Sequence, residues 1–146
     1  MNRRNAREIA LCLIFDFGFN TEEKPEELLE LYLEYFQVDE NKDKDISEKI
    51  RNDAFISKVY FGVSEKLGEL DEIISKHSAN WKLERVSRVS LSILRLALYE
   101  MRYMDDIPTE VSINEAVELA KKYDHDDGYT FINGILGAAE KQMRDE

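Results

Sequence analysis

Cysteine occurs once in this chain, at Cys12, and proline only twice, at Pro25 and Pro108. A single cysteine excludes an internal disulfide and any zinc site built on cysteines, and it fits a reducing compartment. Glycine is also scarce, six residues in 146. There is no glycine-rich phosphate loop, no H-E-x-x-H and no nucleophile elbow. The two histidines, His77 and His125, stand far apart and outside any ligand-spaced cluster. DHDDG at 124–128 invites a metal reading, but a calcium loop would end in glutamate where this chain has Ile135. No catalytic residue, metal ligand or cofactor site is therefore expected. Apolar runs are short as well, and none approaches membrane-spanning length. The basic start followed by Ile9–Phe15 is bracketed by Glu8 and Asp16 and lacks a small-residue cleavage site, which argues against a signal peptide. A cytoplasmic location is expected, with no membrane partner.

What is present favours helix. Hydrophobic residues make up 43% and charged residues 35%, the balance of a soluble folded chain. The length is that of one domain, 1–146, with room for a real core. Leu, Glu, Ala, Ile and Lys dominate the longer runs, which predicts an all-α fold of about seven helices without strands. The first should run from Arg3 to about Phe17, with Ala6, Ile9, Ala10, Leu13 and Phe17 inward and Gly18 as a stop. Thr21 and Pro25 open a second, with glutamates in its first turn. DENKDKD at 39–45 reads as a solvated loop. A third helix is expected from Ser47 to about Leu67 and a fourth over Leu70–Ser78, followed by Trp81 as an anchor between helices.

Glu84–Met104 is the most apolar segment and predicts a helix surrounded by others, with the stripe of Glu84, Arg88, Arg95 and Arg102 read as an ion-paired edge in preference to a phosphate site. Ile107–Pro108 ends it. SINE at 112–115 then has the form of a capping box opening a sixth helix that ends near Tyr123. Asp126 or Asp127 would cap a seventh through Met143, with Gly134 permitting close packing.

Charge is laid out unevenly. The net is −11, which disfavours indiscriminate binding to nucleic acid. Eleven acids and four lysines fall within 21–49, so most of the excess sits there. Yet Arg3, Arg4 and Arg7 crowd the start against Glu8 alone. At the N-terminus of a helix, where the dipole also attracts anions, they should be exposed. Leu11 and Phe15 fall outside the stripe this helix needs for its own core. Two readings follow: solvated arginines with Leu11 and Phe15 against another helix, or a composite surface for phosphate and a protein partner.

The blocks RRNAREIAL at 3–11, SLSILRLALYEM at 90–101, IPTEVSINEAVELAKKY at 107–123 and FINGIL at 131–136, in that order, resemble the NusB family of bacterial transcription antitermination factors. The resemblance implies two small helical subdomains packed crosswise, and binding to boxA, a short single-stranded element of nascent RNA. It implies a heterodimer with NusE, which is also a small-subunit ribosomal protein, acting with RNA polymerase and other Nus factors on ribosomal RNA operons. It implies no catalysis. Carried onto this chain, it makes Arg3, Arg4 and Arg7 the RNA-binding motif and Lys121 a further RNA candidate. Asp127 becomes an acidic position that tempers RNA affinity, and Phe15, with Leu11 beside it, part of the partner surface. Gly128 departs from the family's common serine, and the opening has fewer basic residues than some members. Homodimerisation stays open. So do a helical interaction module without an RNA role and, third, the NusB-like start of an RNA cytosine methyltransferase, although no methyl-donor loop occurs in the 146 residues.

Overall fold

The structure, a computed structural model, describes residues 1–38, 45–78, 85–125 and 127–146, with 36–38 as backbone only. Among these residues every regular element is a helix, and there are eight rather than about seven. The helices fall into two compact units, 1–65 and 66–146. Most of the 39–45 loop, Glu84, Trp81 and Asp126 lie outside the described residues.

The first unit holds α1 (Arg3–Phe19), α2 (Pro25–Val38), α3 (Asp45–Asn52) and α4 (Ala54–Glu65). The expected helix from Ser47 to Leu67 is two helices because of Asp53. Its carboxylate accepts the Ile56 N–H at 2.9 Å, so the residue caps a new helix instead of continuing the old one. α1 packs on α4 and α2. Their core joins Ala6, Ala10, Leu13, Ile14 and Phe17 to Leu33, Ile56, Val59, Tyr60 and Val63, all nearly inaccessible. Tyr60 meets Phe17 edge to face and donates its hydroxyl to the Pro25 carbonyl at 2.7 Å. Arg51 of α3 pairs with Glu30 of α2 at the surface.

The second unit holds α5 (Leu67–His77), α6 (Arg88–Tyr103), α7 (Thr109–Tyr123) and α8 (Gly128–Asp145). α6 touches all three others, and its residues 91–100 are buried without interruption. That is the surrounded helix its composition predicts. Its arginine edge is ion-paired: Arg95 grips Asp71 with two N–H bonds of 2.8 and 2.9 Å, and Arg102 meets Glu69 at 2.6 Å.

Two local expectations are corrected. α7 begins at Thr109, three residues before the supposed capping serine, because Pro108 already supplies the entry geometry (φ −58°, ψ 138°). Ser112 lies inside the helix, buried, and donates to the Glu100 carboxylate at 3.1 Å. Gly134 faces open space: a methyl group built there would meet nothing within 4 Å, so close packing does not explain it. Among the described residues no helix is long and apolar enough to cross a membrane.

Candidate nucleic-acid interface

The start of α1 is fixed by its cap. The Asn2 side chain accepts the Asn5 N–H at 2.8 Å, satisfying one of the open donors of the first turn. Arg3 and Arg4 then stand exposed in that turn. Arg7 does not: it is only 3% exposed, contrary to the expectation that all three arginines face solvent. Both Arg3 and Arg7 lie against one ring of α4. Their guanidinium carbons sit 4.5 and 5.4 Å from the centroid of Phe55, which is itself 6% exposed. Phe55 is a site residue that sequence reasoning missed. Nothing in the spacing of α4 distinguishes a ring that receives cations from a ring that fills a core.

The covered arc of α1 is displaced from the expected one. At roughly 100° per residue it runs about 160° from Leu13 through Ile14 and Arg7 to Leu11. Ile9, expected inward, is only half-buried. Leu11, expected off the core face beside Phe15, is buried at 6% exposure. Ile14 accounts for the shift, because its position draws the centre of the arc toward Arg7 and Leu11. Phe15 stays half-exposed and packs edge to face on Phe19 at 5.0 Å, and Phe19 is 54% exposed. On α2, Leu31 and Tyr35 are more than half exposed as well. The first unit therefore displays apolar side chains beyond the expected Phe15. Cys12 is exposed on the same helix, its thiol pushed up by partial burial and by the charges of Asp16 and Glu8, which keeps it protonated at neutral pH.

In the second unit, Lys121 is exposed at the C-terminal end of α7. Its ammonium lies 3.7 Å from Glu118 and 5.3 Å from the centre of the Tyr129 ring. The neighbouring Lys122 lies 5.2 Å from the ring centre of Tyr123, and both tyrosines are partly exposed. Asp127 is exposed and precedes α8, but its side chain makes no capping bond. The carboxylate that organises this turn is Asp124. It accepts the Ser87 hydroxyl at 3.1 Å, the Ser90 hydroxyl and the His125 N–H at 2.9 Å. Gly128 is there because a Cβ would run into that carboxylate. An open groove of about 530 Å³ lies here, lined by residues that include Arg85, Asp124, Asp127 and Phe131. It was not legible in the sequence, because Ser87 and Ser90 meet Asp124 across more than thirty residues. Among the described residues no group of three or more His, Cys, Asp or Glu side chains is placed to hold a metal ion.

The first unit offers exposed guanidiniums at a helix N-terminus, where phosphate is favoured, together with exposed rings. The second offers exposed lysines beside tyrosine rings and an open groove. Comparisons with known proteins identify the family. A transcription antitermination protein NusB of Clostridium botulinum (strain Kyoto / Type A2) is 45% identical over 141 residues, 94% of this chain and 98% of its own length. Among solved structures, T. maritima NusB superposes with a TM-score of 0.74 at 36% identity, covering 97% of this chain and 92% of that one. The antitermination factors NusB and NusE in complex with double-stranded RNA give 0.74 at 26% identity, covering 96% of each chain. Residues 4–141 match the NusB family, and the chain belongs to it.

Proposed function

We propose that this protein is a transcription antitermination factor that binds RNA together with NusE. The observation that carries the reading is the exposed Arg3–Arg4 turn at the start of α1, in a chain that aligns with NusB relatives along nearly all its length. Related NusB has been captured with NusE and RNA. The RNA is boxA, single-stranded, and the complex acts with RNA polymerase and other Nus factors in the cytoplasm, by binding and not by catalysis. Arg3 and Arg4 contact phosphate, Lys121 adds a contact beside Tyr129, and Asp127 tempers affinity. Phe15 and its neighbour Phe19 belong to the NusE face, the exposed apolar side chains of the first unit supporting that assignment.

The net charge of −11 has a role in this reading. It repels RNA in general and leaves a small cationic start as the docking place, so affinity needs NusE to extend the surface. Fluorescence anisotropy of labelled boxA and a scrambled control, with and without NusE at near-physiological salt, tests this. Preferential boxA binding that NusE strengthens is expected. Equal binding of both RNAs, or no effect of NusE, refutes it.

A further inference from the structure

We infer that Phe55 is a positioning residue for the RNA contact: its ring holds the Arg3 guanidinium ready for phosphate, while Arg7 is a buried support and not a contact. The inference rests on the RNA-binding reading and deepens it. Arg3 and Arg7 have the same chemistry and approach the same ring, at 4.5 and 5.4 Å. Their exposure divides them. Arg3 is open to solvent, whereas Arg7 is 3% exposed. A guanidinium laid against a ring uses its face for the contact. Its N–H donors lie in its plane and remain free to fork onto a phosphate. Arg7 cannot present that plane to a ligand without being uncovered.

A further consequence favours phosphate at Arg3. An arginine in solvent must be ordered when it binds, but one held by a ring is ordered beforehand. Phe55 belongs to α4, and α4 packs on α1, so the ring's place is set by the fold.

The test uses the full chain with NusE and the labelled boxA oligonucleotide. Arg3→Gln should lower affinity severalfold and reduce the salt slope by about 0.7, the value for one single-strand phosphate contact. Arg7→Gln should leave the slope unchanged. Phe55→Leu should weaken binding by a factor close to that of Arg3→Gln, and the double variant should be no weaker than either single one. Phe55→Tyr, which keeps the ring, should restore affinity. Additive losses in the double variant, or a slope that falls for Arg7→Gln and not for Arg3→Gln, would overturn the inference while leaving RNA binding standing. If the unmodified protein fails to bind, the RNA reading falls and this one with it. A second measurement needs neither RNA nor a Phe55 variant to fold: the side-chain proton resonances of Arg3 should be shifted upfield by the ring, and unshifted resonances would also overturn the inference.

Discussion

Arg95 and Arg102 of α6 each face a carboxylate from α5, whereas Arg3 and Arg7 of α1 each face the ring of Phe55. One residue type thus works in two settings. A carboxylate consumes the donors in the guanidinium plane, with two N–H bonds from Arg95 to Asp71, and the charge is spent on holding helices together. At Arg3, which is exposed, the ring takes only the face and leaves those donors for something else. The contrast bears on the proposed RNA contact: in an acidic protein most basic side chains need not be free for a few to be useful. The second unit locks its central helix with ion pairs, whereas at the start of α1 Arg3 stands exposed against a ring.

The largest effect is expected where a carboxylate is removed. Asp71→Ala leaves the Arg95 side chain, 8% exposed, without its bidentate partner. Losing one member of a buried pair costs roughly 3–5 kcal/mol, and water reaching the 25% exposed Asp71 lowers that to about 2–3 kcal/mol. Urea unfolding should show the loss, with RNA affinity of the folded protein unchanged. A matching fall in RNA affinity would mean that the ion-paired edge is part of the interface.

A smaller effect is expected at the turn before α8. Gly128→Ala forces a methyl group against the Asp124 carboxylate, which Ser87 and Ser90 hold in place. Overpacking of this kind costs about 1–2 kcal/mol. In an Asp124→Ala background the clash is gone, so the same change should cost almost nothing there. Thermal unfolding of the four proteins gives the coupling directly, and additive losses would show that Gly128 is not answering to Asp124.

These residues mark how far the sequence could be read. The all-helical fold and the surrounded α6 were legible because apolar spacing is a local signal that tertiary contacts reinforce. The breaks were less so. Asp53 caps a helix in the middle of an apolar pattern that runs on, so spacing alone joined α3 to α4. Ser112 and Glu115 satisfy a capping pattern, yet the serine's partner is Glu100 on another helix, invisible to a four-residue motif. For the site, the cluster Arg3, Arg4 and Arg7 was visible as composition, and the block resemblance gave it a meaning. That Arg7 and Leu11 are buried was not visible, because a helical wheel shows which residues share a face and not which neighbour covers it. Phe55 and Asp124 were missed for the same reason.

The smallest effect is expected at a buried tyrosine and is read through pH. Burial pushes the Tyr32 phenol up to about 12, with the charges of Cys12 and Asp16 adding to it, and burial likewise raises Tyr60. In the second unit Tyr103 is also raised, but mainly because it donates to the Glu69 carboxylate at 2.6 Å. A phenol whose pKa is higher folded than unfolded keeps its proton in the native state after the unfolded chain has lost it. The stabilisation is therefore complete below about pH 10 and is lost as pH rises toward 12. Tyr60→Phe removes one such group together with its 2.7 Å bond to the Pro25 carbonyl, a loss of about 1 kcal/mol at neutral pH. The variant should start less stable and fall less steeply in alkali, so its unfolding curve converges on that of the parent above pH 10. Parallel curves would mean that Tyr60 titrates alike in both states and that burial in the first unit does not hold its proton.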